Sequence, residues 1–336
     1  MISKKLDKSG INVYTLSNAN GVEVDVIPLG AAIVNVRVPS KKGVVDVVLG
    51  FDDLNMYNVN PAFFGVCVGP VANRTKDAKL EIDGVTYSLP VNENNNNLHT
   101  DFKCGLHKRT FGEKIEGEKV VFDITLEDME YGLPGKREFS VAYDLSENNT
   151  LNIEYKMVSD KKTIINPTNH TYFNLGGHNS GNILSSVVKL NCSNYTPVSD
   201  DLIPAEIAPV AGTPFDFTSE KMVGKEIGED NLQLKLGGGY DHNFVIDDNS
   251  KAIATVRNDE TGITMEVFTD FPGVQFYTGN NIGVVEGKEG TTYTMNSGLC
   301  LETQYFPNSA NDERFARPFI EANEVFSSKT AYKFNF

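Results

Sequence analysis

The sequence has no tryptophan, only five histidines and no closely spaced cysteine pair. Its cysteines, Cys67, Cys104, Cys192 and Cys300, lie far apart, so the C-x-x-C spacing of zinc ribbons and redox motifs is missing. We therefore expect reduced, mostly packed thiols. No histidine lies two or four residues from another, as ligands of a compact metal site often do. We expect no metal, although a site assembled from distant residues stays open at this point.

Positive charge is also scarce, with 30 lysines and arginines against 45 aspartates and glutamates and a formal net charge of -15. This balance repels phosphate backbones and anionic membrane surfaces, so we expect neither nucleic acid nor membrane as a partner. No apolar run follows Met1 to Lys8, which argues against a signal peptide or transmembrane helix and favours a cytoplasmic protein. The common nucleotide-binding, hydrolase and metalloprotease motifs are missing too.

What the chain does have is a hydrophobic period of two. Residues 22–26 and 34–38 alternate apolar with polar side chains, which is typical of strands with one buried face. The segment from Leu80 to Leu89 predicts a hairpin, because its central Asp-Gly suits a type I′ turn. Two more hairpins are predicted around residues 146–149 and 258–262.

Helical periodicity is almost missing, and only a short piece such as residues 218–223 suggests a turn or two of helix. An α/β fold is therefore unexpected. We find no internal repeat and no linker-like boundary, so the pattern predicts one large antiparallel all-β domain over residues 1–336.

One histidine stands out because of its neighbours. The stretch Asn166–Gly176 surrounds His170 with amides, hydroxyls and two aromatic rings. A histidine titrates near neutrality, and this setting suits proton exchange with an uncharged polyhydroxy ligand. A satisfied core histidine in a segment of turn residues is an equally good explanation of the stretch alone.

Five further polar residues stand beside rings, glycines or apolar neighbours: Arg74, His99, Asp241, Gln275 and Glu302. Rings combined with a few polar groups suit sugars, whose C–H faces lie on rings while amides and charges bind hydroxyls. Among apolar neighbours, the pKa of Glu302 would rise toward the range useful for a general base. Structural explanations stay open, namely a salt bridge for Arg74 or Glu302, a solvated loop for His99 and a turn cap for Asp241.

Six segments, taken in order, resemble the aldose 1-epimerase or galactose mutarotase family, and the similarity runs from about residue 8 to the C-terminus. The segments are Asn73-Arg74, Asn97–His99, Asn169–Leu175, Tyr240–His242, Pro272–Asn280 and Leu301–Gln304. The resemblance implies an all-β supersandwich of large antiparallel sheets with very little helix and a sugar cleft open to solvent. It also implies interconversion of the α and β anomers of a free aldohexose, such as galactose or glucose, without any cofactor.

The resemblance further implies roles for the matched residues. Glu302 would be the general base at the C1 hydroxyl, and His170, as imidazolium, would protonate the ring oxygen. Reference pKa values of about 4.3 and about 6.5 make an ionised glutamate beside a charged histidine natural. Asn169 and Tyr172 would be the local scaffold of His170. The residues expected to hold the sugar oxygens are Arg74, His99, Asp241, Gln275 and, more weakly, Asn73.

Three places depart from the family pattern. Leu106-His107 stands where the family more often has Phe-Asp, and Phe111 stands where it usually has tryptophan. The acidic, glycine-rich approach to a Gly-Pro-Gly-like turn is altered to Asp128–Gly135. These changes bear on substrate preference and loop geometry more than on the reaction.

Other functions compete with the epimerase. A non-catalytic sugar-binding or sensing module could use the same scaffold. Glycoside hydrolysis could use Asp241 and Glu302 as its two carboxylates, but it leaves His170 without a role. A hexose-6-phosphate epimerase would need a cationic pocket, which the negative net charge disfavours. The sequence ranks no aldose and does not decide between a monomer and a homodimer.

Overall fold

The structure is a computed structural model that describes all 336 residues. Its largest element is a sheet of nine antiparallel strands. In sheet order the strands are Gly112–Glu116, Lys119–Leu126, Arg137–Leu145, Thr150–Ser159, Val325–Asn335, Thr264–Thr269, Ala254–Arg257, Val187–Leu190 and Lys221–Met222. The strand Thr150–Ser159 buries every second side chain, from Leu151 to Ser159. Alternation of this kind leaves one face of the sheet for the core and one for solvent.

Two five-stranded antiparallel sheets complete the framework. The N-terminal sheet contains, in order, Ile2–Leu6, Asn12–Ser17, Glu23–Ile27, Ala32–Ser40 and Gly43–Asp46. The other contains Ala208–Pro209, Asn194–Thr196, Asp241–Val245, Gly273–Tyr277 and Cys300–Gln304. We call this second one the site sheet, because its last three strands carry polar residues singled out in the sequence.

Short ladders connect the sheets. The paired segments are Asn97–Leu98 with Arg74–Thr75, Thr168–Asn169 with Cys67–Val68, Thr163–Ile164 with Phe319–Ile320, Val285–Glu286 with Thr292–Tyr293, and Lys79–Ile82 with Val85–Ser88. The α-helix is Leu232–Gly237, and the short 3₁₀ turns are Leu54–Asn58, Lys76–Ala78, Leu106–Lys108, Glu130–Gly132, Val223–Lys225, Lys288–Gly290 and Ser309–Asn311. The all-β prediction with very little helix is confirmed.

The three predicted hairpins are also confirmed. Lys79–Ile82 pairs with Val85–Ser88 across Asp83 and Gly84, whose φ angles of 50° and 79° are both positive, as a type I′ turn requires. The hairpins around residues 146–149 and 258–262 pair as predicted.

The prediction of a helical turn at residues 218–223 is wrong. Lys221–Met222 is an edge strand of the nine-stranded sheet, and the 3₁₀ turn begins only at Val223. The α-helix lies ten residues further on and is capped by Asn231, whose side chain accepts from the backbone N–H groups of Gln233 and Leu234. It ends at Gly238, whose φ is 65°. Six residues are too few for a helical stripe to show in the sequence.

The core lies between the sheets. One cluster of 54 buried apolar residues joins side chains of all three sheets, and a second cluster of 18 includes Tyr172, Tyr277 and Cys300. These three residues also lie at or behind the cleft described below, so the core itself holds up one side of the site. No helix is long and apolar enough to cross a membrane.

Candidate active site

The polar residues singled out in the sequence meet in one cleft with a volume of about 180 Å³. Its lining comprises Pro61, Ala62, Phe63, Asn73, Arg74, Glu93, Leu98, His99, His170, Tyr172, Asp241, Gln275, Tyr277, Asn281 and Glu302. This volume is below the range of about 300 to 1,000 Å³ typical of sites for drug-sized ligands, so it suits a single sugar ring. A larger hollow of about 560 Å³ lies on the nine-stranded sheet, but no histidine lines it. We place the site where the titratable groups converge.

One wall of the cleft is the site sheet. Glu302 lies directly opposite Gln275, and Tyr277 lies directly opposite both Asp241 and Cys300. Residues directly opposite or two apart along a strand share a face, so all five side chains point the same way. Regular strand pairing therefore brings together groups that are far apart in sequence.

Asp241 and Gln275 act as a unit on this wall. The Gln275 Nε2 donates to Asp241 Oδ1 over 2.7 Å. The carboxylate therefore lies in the cleft and does not cap the neighbouring glycine turn, which was the alternative open from sequence. The next residue, His242, is fully buried and contacts Gln233 at 3.1 Å, so it belongs to the core.

The opposite wall is made of loops and carries His170. The backbone of His170 is held at both ends, since its N–H donates to Val66 O at 2.9 Å and its carbonyl accepts from Gly65 N at 3.1 Å. The Asn169 side chain donates to Gly65 O at 3.1 Å and accepts from Thr171 N at 3.1 Å. These bonds fix the backbone next to His170, in line with the predicted scaffolding role of Asn169.

His170 and Glu302 face each other across the cleft. The distance from His170 Nε2 to Glu302 Oε1 is 3.7 Å, and the two side chains are only 6% and 3% exposed. The other carboxylate oxygen of Glu302 is buried without a hydrogen-bond partner. The mechanism implied by the resemblance requires these two groups to share one cleft, and they do. Their catalytic roles stay predictions.

Burial changes the charges expected from reference values. It lowers the pKa of His170 to about 4. Burial, together with the nearby charge of Asp241, raises the pKa of Glu302 well above its usual range, while Arg74 partly offsets that rise. Burial therefore disfavours the ionised Glu302 and the charged His170 that reference values lead one to expect. A protonated glutamate beside a neutral histidine carries the same single proton as the ion pair, however, so the proton inventory is unchanged.

His99 enters the cleft as a hydrogen-bond donor. Its Nδ1 accepts from the backbone N–H of Asn73 at 3.1 Å. Burial and the neighbouring His170 hold the pKa of His99 well below its usual range, so the ring is neutral. A neutral imidazole whose Nδ1 accepts carries its proton on Nε2. The solvated-loop alternative fails because His99 is only 7% exposed.

The tautomer of His99 also affects whether the cleft could bind a metal ion. One ligand atom from each of His99, His170 and Glu302 lies within 4.8 Å of the others, a spacing that a metal ion could draw together. Metal ligation needs a free nitrogen lone pair on each histidine. Because the lone pair of His99 Nδ1 already accepts from Asn73, this group favours hydrogen bonding to a ligand oxygen. The expectation of no metal stays a prediction.

Arg74 is paired inside the cleft, as the salt-bridge alternative proposed. Its Nε and Nη2 donate to the two carboxylate oxygens of Glu93 at 2.7 Å and 2.8 Å. Sequence reasoning missed Glu93, because it lies in an asparagine-rich loop, residues 92–97, and no spacing rule links it to Arg74. Two asparagines of that loop are structural: Asn92 bonds both backbone groups of Leu98, and Asn97 donates to carbonyls at each end of the loop.

Aromatic rings complete the loop wall. The ring of Phe63 lies 5.7 Å from that of His170 in a stacked arrangement and 5.2 Å from that of His99. The ring of Tyr172 lies 5.0 Å from that of His170. Behind Phe63 lies His107, at 4.5 Å between centroids, with both ring nitrogens unpartnered. The unusual Leu106-His107 pair therefore supports the wall and does not line the cleft.

The altered segment Asp128–Gly135 is also a support. Arg137 is fully buried and donates to the carbonyls of Glu127, Glu130 and Gly135. Glu130 pairs with Arg109. None of these residues lines the cleft.

Fold and cleft together define a class: a large antiparallel β-sandwich protein with a histidine–carboxylate pair in a cleft of monosaccharide size. A family model for aldose 1-epimerase matches residues 12–333. A galactose mutarotase from Mus musculus is 38% identical over 319 residues, which cover 94% of this chain and 91% of that protein. An aldose 1-epimerase from Escherichia coli K12 is 32% identical over 336 residues, with coverage of 98% and 96%. The chain belongs to the aldose 1-epimerase family.

Solved structures agree on the fold. An aldose epimerase homologue from C. elegans superimposes with a TM-score of 0.89 at 26% identity, covering 97% of this chain and 99% of that one. A galactose 1-epimerase from Lactobacillus acidophilus gives 0.86 at 27% identity, with coverage of 100% and 98%. The predicted β-supersandwich is confirmed.

Proposed function

We propose that this chain is an aldose 1-epimerase that interconverts the α and β anomers of a free aldohexose such as galactose or glucose. The observation that carries the proposal is the His170–Glu302 pair, 3.7 Å apart across a cleft of about 180 Å³. The unpartnered Oε2 of Glu302 supports it, since a buried oxygen without a partner is a natural acceptor for a substrate hydroxyl.

The reaction needs one proton removed and one supplied. Glu302 takes the proton of the C1 hydroxyl while His170 gives a proton to the ring oxygen, and the bond between C1 and the ring oxygen breaks to leave an open aldehyde. Rotation about the C1–C2 bond presents the other carbonyl face. Reversal of both transfers closes the ring and returns the pair to its starting state. Each positioned transfer contributes typically about 10² to 10⁴ in rate.

The proton count of the pair suits this cycle. Ring opening leaves a protonated Glu302 and a neutral His170, which is the distribution that burial favours. Because both distributions hold one proton, its transfer from Glu302 to Nε2 of His170 gives the ionised pair that reacts with the closed ring. No other proton donor is required.

The remaining groups bind the sugar. His99 offers its Nε2–H, Asp241 offers a carboxylate that Gln275 holds in place, and Arg74 and Asn73 lie along the same rim. The ring of Phe63 offers an apolar face for C–H groups.

Polarimetry on freshly dissolved α-D-galactose and α-D-glucose tests the proposal. We expect mutarotation well above the buffer rate, and a loss of about 10² to 10⁴ in both Glu302→Gln and His170→Asn. Glu220→Gln is the matched control, because Glu220 is an exposed carboxylate paired with Arg257 outside the cleft. Native-like circular dichroism and melting must accompany the loss.

Two outcomes would replace the proposal. Binding of galactose without any rate above buffer would make the chain a sugar-binding module. Cleavage of an aryl glycoside without mutarotation would make it a glycoside hydrolase that uses Asp241 and Glu302.

We also propose that residues 1–336 form one domain, that it acts as a monomer or homodimer, and that it is cytoplasmic. The family match over residues 12–333 supports a single unit. Four free cysteines support a reducing compartment. Light scattering during size-exclusion chromatography measures the oligomeric state directly.

A further inference from the structure

We infer that Glu93 restricts the cleft to uncharged sugars by occupying the guanidinium of Arg74. The inference rests on the proposed function, because it names what this same site admits and rejects. It assigns a specificity role to a residue that takes no part in the proton transfers.

The contact is a built feature of the cleft. Two Arg74 nitrogens donate to the two Glu93 oxygens in a bidentate arrangement, the strongest geometry for such a pair. The Arg74 side chain is 10% exposed and that of Glu93 is 24% exposed, so the pair is largely shielded from water. Both residues line the cleft.

Glu93 is also held in place by its backbone. The N–H of Glu93 donates to Asn96 O at 3.2 Å, and the N–H of Asn96 donates back to Glu93 O at 2.8 Å. The Asn92 side chain clamps the same loop to Leu98. The turn fixes the backbone of Glu93 and the two bonds from Arg74 fix its carboxylate, so a ligand meets that carboxylate in place.

The charges of the cleft explain the consequence. Arg74 is the only lysine or arginine that lines it, while Glu93, Asp241 and Glu302 contribute carboxyl groups. An anionic sugar needs an uncompensated positive charge to offset the charge that it brings. Glu93 already neutralises Arg74 through the edge formed by Nε and Nη2, and it would repel a second anion at short range.

Kinetics on a matched pair of sugars test the inference. D-galactose and D-galacturonate both have a free anomeric carbon and differ by an uncharged hydroxymethyl group against a carboxylate. For the wild type we expect kcat/KM for galactose to exceed that for galacturonate by about a hundredfold or more. Glu93→Gln should lower this ratio by about tenfold or more, mainly by raising kcat/KM for galacturonate.

Two controls separate charge from shape. Glu93→Asp keeps the charge and should keep most of the preference, whereas Glu220→Gln removes one negative charge outside the cleft and should leave the ratio unchanged. If Glu93→Gln fails to show a native melting transition, salt on the wild type serves instead. Higher ionic strength should narrow the ratio, because it screens repulsion at a partly exposed carboxylate.

The outcomes are distinct from those of the proposed function. A wild type that does not accelerate galactose mutarotation refutes the epimerase proposal, and galacturonate affinity measured by calorimetry then still compares the wild type with Glu93→Gln. An unchanged ratio or affinity in a folded Glu93→Gln overturns the role of Glu93. A wild type with equal kcat/KM for the two sugars would also overturn this role.

Discussion

The two walls of the cleft hold their side chains by different means. On the site sheet, Gln275 and Glu302 lie opposite each other on paired strands, and neighbouring strands fix their direction. On the loop wall, Phe63, Asn73 and His99 have positive φ angles of 62°, 60° and 56°. Such values are rare outside glycine and cluster at functional sites. The sheet wall is thus fixed by regular geometry, and the loop wall by a few hydrogen bonds that outweigh local strain.

The largest effects should come from the sheet wall, where function and stability oppose each other. Glu302→Gln should cost about 10² to 10⁴ in rate and still raise stability at alkaline pH. Burial raises the pKa of Glu302, so its contribution to stability is complete below the unfolded value near 4.5 and is lost as pH rises toward the folded value. Between these two pKa values, the free energy of unfolding of the wild type should fall by about 1.4 kcal/mol per pH unit, whereas that of Glu302→Gln should not.

Urea unfolding of both proteins at several pH values between 4 and 8 measures this difference. Parallel curves of unfolding free energy against pH for the wild type and Glu302→Gln would mean that the pKa of Glu302 is not raised in the folded state. The contrast between the walls would then lose its main support.

On the loop wall, the largest effect should come from Thr100. This β-branched residue has a φ of 68°, a strained value, next to His99. Its hydroxyl accepts from Val71 N at 3.0 Å and donates to Val71 O at 2.9 Å. Thr100→Val keeps the strain and loses both bonds, so we expect a loss of about 2 to 4 kcal/mol in the free energy of unfolding.

Thr100→Gly is the matched comparison, because glycine adopts this φ without strain while losing the same bonds. We expect its loss to be smaller than that of the valine variant, as measured by denaturant titration. If both variants lose equal stability, strain at this position is negligible and the loop wall is no different from the sheet wall.

The same contrast explains how much could be predicted from sequence. The fold followed from alternation and from turn residues such as Asp83 and Gly84, which act locally. The helix Leu232–Gly237 was missed, since a cap and a glycine stop act over too few residues to produce a period. The strand Lys221–Met222 was misassigned because pairing with Val187 and Val188, and not local preference, determines it.

For the site, motif resemblance was enough to choose residues, and all seven predicted ones line the cleft. It could not provide their environment. Reference pKa values predicted charged forms of His170 and Glu302, which burial disfavours, and burial is a property of the folded chain. Glu93 was missed because its partner Arg74 lies 19 positions away in a different loop, and no periodicity connects them.

The pH dependence of stability should reveal the contribution of His107, which lies behind the loop wall. Burial and nearby Lys108 lower the pKa of His107 to about 4. In the unfolded chain His107 binds a proton below about pH 6.5, whereas in the folded chain it stays neutral down to about pH 4. The stability that the neutral ring contributes is therefore complete above this window and falls as pH falls through it. His107→Asn should remove about 1.4 kcal/mol per pH unit of that slope.

The variant supplies its own control. Between pH 7.5 and 9 the histidine is neutral in both states, so the wild type and His107→Asn should there show parallel curves of unfolding free energy. An unchanged slope between pH 4 and 6.5 would show that His107 is protonated in the folded protein, contrary to its two unpartnered ring nitrogens.

The smallest effect should lie where the two walls meet. Cys300, on the site sheet, places its Sγ 3.5 Å from His170 Nδ1 on the loop wall. Burial raises the pKa of this thiol well above its usual range, so it stays protonated, and its sulfur can accept weakly from Nδ1–H. After His170 has given its Nε2 proton to the ring oxygen, that contact stabilises the neutral tautomer with its hydrogen on Nδ1. Cys300 is thus a positioning residue, and its removal should cost far less than removal of His170.

Cys300→Ala should lower kcat by about two- to fivefold, the range of a weak hydrogen bond, with little change in KM. Cys300→Ser keeps an acceptor and should retain more of the rate. Nitrogen-15 NMR of the His170 ring reads the tautomer directly and should show a smaller Nδ1-protonated fraction in the alanine variant. If the tautomer is unchanged while the rate falls tenfold, the loss reflects packing in the cluster around Tyr172 and Tyr277, and the two walls communicate through the core instead of through this contact.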